Sequence, residues 1–336
     1  MKVAVIGSGF MGKTHLEAYS RLPHVEVVGV CNSKSDPLCL AEQFGTTTFT
    51  SFEQMLSTVK PEVVSICLPT HLHKEYVIKA AEAGVHIICE KPIAPTLSDA
   101  KEMINVCKRS GVRLFVAHVL RFFPNYQDIQ RQIALGAIGD VGVVHTKRVV
   151  GHPGVNTWYN DPALSGGVIM DLMIHDIDFV RSVLGEVYTV YAMRRKAAGV
   201  EHALVTFKFE SGAIANLEGF WGYESPLTSS CEFAGKKGII RLNSENTATI
   251  RIIKATEEDP SSFVSIPKSP TIRDPFYDQL RHFIECIRED KKPLVTANDA
   301  YKALELSLAA IRSAETGVPV TVKHMTEDTG VGGKRA

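Results

Sequence analysis

The sequence predicts a two-part α/β protein, in which a doubly wound parallel sheet is followed by an α+β part with a mostly antiparallel sheet. Short apolar runs alternate with helical segments until about residue 120, and period-2 runs joined by Glu-Ser-Gly or Gly-Lys-Lys-Gly turns dominate afterwards. Strands that alternate with helices indicate βαβ units and a parallel sheet, whereas hairpin-like turns indicate antiparallel pairing.

The parallel part begins with Val3–Ile6, a fully apolar run of the kind that a strand covered on both faces requires. Helices over 13–21 and 73–83 end before Pro23 and at Gly84, since both residues disfavour a continuing helix. The other predicted strands are Val25–Val30, Glu62–Leu68, Val85–Cys89 and Val112–Ala117, and the other helices lie at 36–44, 51–58 and 97–109.

In the later part, an amphipathic stretch at 125–135 and Val141–Val150 precede a loop that leads to a helix at 168–183. Apolar and polar residues then alternate as in half-buried strands, in the runs 187–194, 203–209, 213–220 and 228–233. Helices near 275–289 and 298–313 follow, and the polar tail 325–336 is expected to be disordered.

Composition narrows the class of protein. The 336 residues include 37 basic and 37 acidic side chains, so the formal net charge is zero, which argues against nucleic-acid binding through a broad basic field. No apolar run reaches the roughly 18–20 residues of a membrane span, and the apolar start is too short for a signal peptide. Seven cysteines without a CxxC pair fit a reduced chain. We therefore expect a cytoplasmic protein with no nucleic-acid or membrane partner.

A glycine-rich loop provides the first functional signal. Gly7-Ser8-Gly9-Phe10-Met11-Gly12 is a G-x-G-x-x-G motif that directly follows the first strand and opens the first helix. In that context the glycines permit a tight turn, close approach of a pyrophosphate and close packing of helix on strand. The motif predicts a dinucleotide-binding Rossmann domain, with a glycine turn that binds no ligand as the alternative.

The cofactor ribose is expected to bind about 20 residues later, at the end of the second strand. Asn32, Ser33 and Lys34 lie there, without a carboxylate to repel a 2′-phosphate. The amide and hydroxyl can hydrogen-bond a phosphate, and Lys34 can pair with its charge. This favours NADP, or use of both cofactors, over NAD alone, although Lys34 could equally be a solvated surface charge.

Three clusters follow later strands, at the edge where such sheets bind ligands. They are Leu68-Pro69-Thr70-His71-Leu72-His73, Cys89-Glu90-Lys91-Pro92 and His118-Val119-Leu120-Arg121-Phe122. Hydride transfer to or from a secondary alcohol requires one group to manage the hydroxyl proton and another to polarise the oxygen. Residues of these clusters could provide either.

Asp171 and His175 follow the pair Gly166-Gly167 with the i, i+4 spacing of one helical face. Together with a lysine from the other domain they could form a proton-handling set. One alternative is an ordinary polar pair on a surface helix. Another is a metal site that includes Asp176 and Asp178, but the spacing matches none of the compact metal motifs, and we predict no metal.

The chain resembles the glucose–fructose oxidoreductase / inositol dehydrogenase / MocA (Gfo/Idh/MocA) family of nicotinamide-dependent sugar oxidoreductases. Motifs in a specific order carry the resemblance over nearly all of the chain: the G-x-G-x-x-G loop, Glu90-Lys91-Pro92, Arg121-Phe-x-Pro124, Trp158, Gly166-Gly167, Asp171-x-x-x-His175-Asp176 and a helix that begins at Asp274-Pro-Phe-Tyr. The resemblance implies an NAD(P)-binding Rossmann domain over 1–121 and a substrate and oligomerisation domain over 122–324. It also implies a large open-faced sheet in the second domain, through which homodimers or homotetramers form.

The resemblance further implies an NAD(P)-dependent oxidoreductase that transfers a hydride between nicotinamide and a secondary alcohol or ketone of a sugar, a cyclitol or a sugar derivative. Lys91 would hold the substrate hydroxyl, His175 would exchange its proton, and Asp171 would orient the substrate or tune His175. A glycosidase of the same fold that uses NAD, and a nucleotide-sensing regulator, are the alternatives. Many family members carry Asp where this chain has Asn32.

The predicted cofactor-binding residues are Gly7, Ser8, Gly9, Phe10, Met11, Gly12, Asn32, Ser33, Lys34, Leu68, Pro69, Thr70, His73, Glu90, Lys91 and Arg121. His73 could instead be a helix-start residue, and Arg121 a structural pair. The predicted substrate-binding residues are Asn156, Trp158 and Tyr159 with Lys91, Asp171 and His175. The first three could grip a polyol or could be loop packing.

Overall fold

The computed structural model describes residues 1–32, 39–154, 157–197, 199–222, 227–245, 250–255, 263–268 and 274–324. Within them the chain divides into two compact units. The first consists of Met1–Phe122 and Asp274–Tyr301, and the second of the described parts of Phe123–Arg273 and Lys302–Ala336. The tail 325–336 lies outside the described residues.

The helices, in chain order, are α1 (Phe10–Tyr19), α2 (Leu40–Gln43), α3 (Phe52–Val59), α4 (His73–Glu82), α5 (Leu97–Arg109), α6 (Pro124–Ala134), α7 (Pro162–Ser165), α8 (Gly167–Asp171), α9 (Ile174–Leu184), α10 (Pro275–Arg288) and α11 (Ala297–Thr316). The strands are β1 (Lys2–Ile6), β2 (Glu26–Cys31), β3 (Thr48–Phe49), β4 (Val63–Ile66), β5 (His86–Cys89), β6 (Leu114–Val116), β7 (Val141–Val150), β8 (Val187–Ala197), β9 (Val200–Phe209), β10 (Ile214–Trp221), β11 (Thr228–Gly235), β12 (Gly238–Asn243), β13 (Ile250–Ala255), β14 (Phe263–Lys268) and β15 (Val320–Thr321).

The first unit is built on a parallel sheet, whose six described strands lie in the order β3-β2-β1-β4-β5-β6. All four residues of β4 are buried, as a strand covered on both faces requires. The strand order reverses between β1 and β4, and such a switch point opens a crevice at the carboxyl ends of the strands. The predicted doubly wound parallel sheet is confirmed.

A helix from late in the chain completes the core of this unit. Leu280 and Phe283 of α10 are fully buried in one apolar cluster with Leu16 of α1 and Phe115 of β6. The rings of Phe115 and Phe283 lie 4.9 Å apart. Asp274 caps α10 by accepting a hydrogen bond from the Phe276 N–H at 3.0 Å.

The second unit is built on a sheet whose nine described strands lie in the order β14-β13-β12-β11-β7-β10-β9-β8-β15. Neighbouring strands are antiparallel except for β7 and β10, which run parallel. The predicted, mostly antiparallel sheet is therefore confirmed. Alternate residues of β9 are buried, and α8 and α9 pack on strands of this sheet.

The prediction of one helix over 168–183 is wrong, because α8 ends at Asp171 and α9 begins at Ile174. At the break, the Val168 carbonyl oxygen accepts both the Leu172 N–H, at 3.1 Å, and the Met173 N–H, at 2.9 Å, which interrupts the regular hydrogen-bond pattern. The two residues between the helices are buried. Leu172 is 7% exposed and Met173 1%. The Met173 side chain occupies the space over Gly219 of β10, where an added Cβ would lie 2.3 Å from the Met173 Cγ.

Candidate active site

The glycine loop has the geometry that a bound pyrophosphate requires. Gly7 has φ +98°, and a Cβ there would lie 2.3 Å from the Cys67 carbonyl oxygen. A Cβ on Gly12 would lie 1.9 Å from the Gly7 oxygen, so helix and strand approach as closely as predicted. At Gly9, by contrast, no atom of the described residues, apart from Gly9 and its two chain neighbours, lies within 4 Å of an added Cβ. The backbone is thus open to a ligand at Gly9, before the first turn of α1, and the loop fits a dinucleotide.

The two side chains that flank this opening differ in exposure. Phe10 is 79% exposed, whereas Ser8 is only 3% exposed. The Asn32 amide, directly after β2, donates a hydrogen bond to the Ser8 hydroxyl at 2.6 Å. The position predicted to bind the cofactor ribose is therefore hydrogen-bonded to the glycine loop through a neutral amide. Ser33 and Lys34 lie outside the described residues.

Lys91 follows β5 and is partly exposed, next to the buried carboxylate of Glu90. One carboxylate oxygen of Glu90 lies 3.1 Å from His15 Nε2, and the other accepts the Lys91 N–H at 3.2 Å. Burial raises the pKa of Glu90, but the hydrogen bond from His15 and the charge of Lys91 outweigh it, so the pKa lies below its ordinary value. Glu90 is accordingly an anion at neutral pH.

His73 lies beneath the two loops that were predicted to face the cofactor. Its ring is fully buried, with Nε2 2.8 Å from the Leu68 carbonyl oxygen and Nδ1 2.9 Å from the Pro92 carbonyl oxygen. The side chain therefore joins the loop after β4 to the loop after β5. Leu68 and Pro69 are partly exposed, and Thr70 is buried.

Arg121 lies in a 3-10 turn, Val119–Phe122, and is 6% exposed. Its guanidinium is 3.7 Å from an oxygen of Asp299, within the same unit. Asp299 also accepts the Thr296 hydroxyl at 2.6 Å. Arg121 thus forms an ion pair within the first unit, and its contact with a cofactor stays a prediction.

In the second unit, Asp171 is the last residue of α8 and His175 lies in the first turn of α9; both are partly exposed. The start of α8 is held by Glu201 of β9, which is 2% exposed. Its Oε1 accepts the Val168 N–H at 3.3 Å and would lie 2.4 Å from a Cβ on Gly167. The second glycine of the pair is thus required for the approach of a buried carboxylate.

The start of α9 is held by a buried ion pair. Both carboxylate oxygens of Asp176, the neighbour of His175, accept hydrogen bonds from Arg148 of β7, at 2.7 and 3.0 Å. The Tyr126 hydroxyl lies 3.3 Å from the same guanidinium. The two charged side chains are 5% and 3% exposed. This bidentate pair orients the helical turn that carries His175.

Aromatic rings pack against one another in the described part of the loop that was predicted to bind a polyol. The rings of Trp158 and Tyr159 stack at 4.1 Å, and Trp221 lies edge-on to Tyr159 at 6.1 Å and to His152 at 5.5 Å. Both rings of the stacked pair remain partly exposed. Asn156 lies outside the described residues.

Sequence reasoning did not select three residues that support these sites: His15, Arg148 and Glu201. Arg148 and Glu201 occupy inward positions of strands in which buried and exposed residues alternate. A charged residue at such a position can be recognised in the sequence as a buried charge that needs a partner. His15 lies one helical turn beyond the glycine motif, on the buried face of α1.

Across the part of the chain that the structure describes, no three His, Cys, Asp or Glu side chains are grouped so that they could hold a metal ion. Within the same residues, no helix combines the length and apolar character needed to cross a bilayer.

Comparisons with known proteins identify the family and the fold. The model of an oxidoreductase family with an NAD-binding Rossmann fold matches residues 1–118, and the model of that family's C-terminal alpha/beta domain matches residues 130–322. scyllo-Inositol 2-dehydrogenase (NAD(+)) of Bacillus subtilis (strain 168) is 30% identical, over 98% of this chain and 99% of its own. D-Apiose dehydrogenase of Paraburkholderia graminis is 30% identical, over 96% of this chain and 90% of its own.

Among solved structures, aldose–aldose oxidoreductase from Caulobacter crescentus, complexed with glycerol, has a TM-score of 0.83. It is 24% identical and covers 96% of this chain and 99% of its own. At that identity the likeness establishes the shared fold.

Proposed function

The chain belongs to the Gfo/Idh/MocA oxidoreductase family, and from that membership we propose that it is an NAD(P)-dependent dehydrogenase or reductase of a sugar, cyclitol or sugar derivative. The observation that carries the proposal lies within the first unit. The open glycine loop follows β1 and Lys91 follows β5, so both lie at the carboxyl edge of one parallel sheet. The two 30% identical relatives, which are named for an inositol and a pentose, support a polyol substrate.

The roles proposed for the catalytic residues follow from their chemistry. A bound nicotinamide dinucleotide supplies the hydride acceptor or donor. Lys91, a flexible ammonium donor, holds and polarises the substrate oxygen. His175 takes the hydroxyl proton during oxidation and returns it during reduction, because imidazole exchanges protons near neutral pH. Asp171 orients the substrate.

For the cofactor, we propose that NADP is used, alone or together with NAD. The support is the neutral amide of Asn32 at the end of β2, hydrogen-bonded to Ser8 of the glycine loop. A carboxylate at that position would repel a 2′-phosphate, whereas an amide can donate to it.

For oligomerisation, we propose that a second copy of the chain covers the open face of the second unit's sheet. Outward positions of adjacent strands carry large apolar side chains: Met193 on β8 is 53% exposed and Leu204 on β9 is 50% exposed, and the two are register partners. Tyr191 and Ile214 add further exposed apolar area on neighbouring strands. An apolar patch of this kind is typical of an interface. Light scattering tests the proposal, since Leu204→Lys is expected to yield a smaller species than the wild type.

The central test is an assay of the purified protein with NAD or NADP over a panel of polyols and sugars, monitored by the absorbance of the reduced cofactor. Once a substrate is found, Lys91→Ala is expected to lower kcat by roughly three orders of magnitude while cofactor binding stays detectable. Lys79→Ala is the control, because that lysine forms surface ion pairs with Glu75 and Glu53 of the same unit. Near-normal turnover in Lys91→Ala would overturn the catalytic assignment. Substrate conversion without net cofactor reduction would instead point to the glycosidase chemistry.

A further inference from the structure

A continuous chain of buried hydrogen bonds leads from the core of the first unit to the backbone of Lys91. The Tyr19 hydroxyl lies 2.7 Å from the Ser65 hydroxyl, which lies 3.0 Å from His15 Nδ1. His15 Nε2 lies 3.1 Å from one oxygen of Glu90, and the other oxygen accepts the Lys91 N–H at 3.2 Å. Tyr19, Ser65 and His15 are each 0% exposed.

One arrangement of protons satisfies every group in this chain. The Tyr19 hydroxyl donates to Ser65, and the Ser65 hydroxyl donates to His15 Nδ1. In this arrangement the His15 Nε2–H donates a hydrogen bond to the Glu90 carboxylate, which also accepts one from the Lys91 backbone N–H. Each donor therefore has one acceptor, and all bonds point the same way toward Glu90. Such a chain fixes the orientation of its members because a reversed link would leave a buried polar group without a partner.

This series of hydrogen bonds also joins two segments of the protein that are far apart in sequence. His15 lies on α1, one turn after Gly12 of the cofactor loop, and Glu90 ends β5 directly before Lys91. A buried anion at that point requires a donor, and His15 provides the buried side-chain contact to its Oε1. Without that donor, the carboxylate would have to move toward solvent, and the Lys91 N–H would lose its acceptor.

We infer that His15 is a positioning residue for the reaction: through Glu90, it holds the backbone that carries Lys91 in the place required for catalysis. The inference rests on the proposed function of Lys91. His15 itself lies in the core, out of reach of the substrate, and acts only through the carboxylate.

Two near-isosteric variants separate the bonds of His15. Gln places an amide N–H where Nε2 lies and can keep the bond to Glu90, whereas Asn reaches only the region of Nδ1 and Ser65. His15→Gln is expected to retain kcat within about threefold, and His15→Asn to lose about tenfold to a hundredfold, the range for a lost bond to a charged group. The KM for the dinucleotide is expected to change by less than about threefold in both, since the lost interaction serves the transition state.

A measurement on the cofactor-free protein gives an independent readout. Hydrogen exchange of a peptide that contains the Lys91 amide is expected to be faster in His15→Asn than in wild type, and near wild type in His15→Gln. His282→Asn is the control: this histidine of α10 also uses Nε2 in a hydrogen bond, but there it accepts the Leu294 backbone N–H at 2.9 Å instead of contacting Glu90. It is expected to change neither kcat nor Lys91 exchange.

The outcomes distinguish the inference from the proposed function. If Lys91→Ala loses activity but His15→Asn keeps wild-type kcat and exchange, His15 has no positioning role. Equal losses in the Gln and Asn variants contradict the specific bond to Glu90 and leave only packing. If Lys91→Ala itself retains turnover, the proposed function fails whatever His15 does.

Discussion

Replacing Arg148 by methionine tests the importance of the buried pair that holds the start of α9. In the wild type, Asp176 accepts two hydrogen bonds from Arg148, at 2.7 and 3.0 Å, and both side chains are at most 5% exposed. Each bond to a charged group is worth about 1.5–3 kcal/mol, so the loss of both amounts to about 3–6 kcal/mol. Measured losses on breaking a buried pair, about 3–5 kcal/mol, lie in the same range.

The assay can be confined to the second unit, because the chain's two tryptophans, Trp158 and Trp221, both belong to it. Trp221 is 1% exposed, so its fluorescence reports the unfolding of its surroundings. With a guanidinium m-value of about 4 kcal/mol/M, Arg148→Met is expected to lower the unfolding midpoint by roughly 1 M.

Two further variants complete the design. Arg241→Met removes an exposed pair with Glu232, in which the side chains are 50% and 32% exposed, and is expected to cost less than about 1 kcal/mol. The double variant Arg148→Met/Asp176→Leu also removes the buried carboxylate that would otherwise lack a partner. It is expected to regain most of the lost free energy of unfolding. The reasoning is refuted if Arg148→Met costs no more than the exposed control, or if the double variant is less stable than the single one.

Three more predictions concern the first unit. Gly12→Ala is expected to prevent stable folding, since its Cβ would lie 1.9 Å from a backbone oxygen. Gly9→Ala is expected to keep the thermal midpoint but to weaken cofactor binding in a fluorescence titration. Normal cofactor binding by Gly9→Ala would show that the loop is not part of the cofactor site. Lys34→Asp is expected to raise the Kd for NADP more than that for NAD, and equal effects would exclude a contact with the 2′-phosphate. Burial raises the pKa of Asp274, but Arg21 and the N–H groups of α10 hold it below its ordinary value. Its ion pair with Arg21 therefore stabilises the protein at neutral pH, and this contribution is lost as pH falls through the lowered pKa. By circular dichroism, Asp274→Asn is expected to cost up to about 1 kcal/mol at pH 7, and a difference that persists at acid pH would contradict the assignment.

Much of the first unit follows from local patterns. Short apolar runs such as Val3–Ile6 indicate buried parallel strands, because only a strand covered on both faces is apolar throughout. The glycine motif is equally local, since its three glycines lie in one βα turn, although the close neighbour of Gly7 is Cys67, after β4. Sequence could not predict the parallel pairing of β7 with β10, because these neighbours are distant in the chain and no turn links them.

In the candidate site, too, contiguous motifs could be recognised in the sequence, whereas contacts between distant segments could not. Lys91 and Gly9 could be selected because their motifs are contiguous. The inward position of Arg148 on β7 was a signal, but its pairing with Asp176 could not be predicted, because Arg148 lies 28 residues earlier and meets Asp176 only through the packing of α9 on the sheet. The break between α8 and α9 could not be predicted locally either, since Leu172 and Met173 are both ordinary helix-forming residues.

The position of α10 late in the sequence affects how the protein folds during synthesis. Leu16 and Phe115 are covered by Leu280 and Phe283, which leave the ribosome only after residues 123–273, the first segment of the second unit, have been made. At about 5–20 residues per second, the roughly 150 intervening residues take about 8–30 s. During that interval the first unit presents an apolar surface that chaperones can recognise, and a fragment of residues 1–122 alone would keep that surface permanently. The second unit, although it is encoded later, can therefore complete most of its sheet before the cofactor-binding unit closes its core.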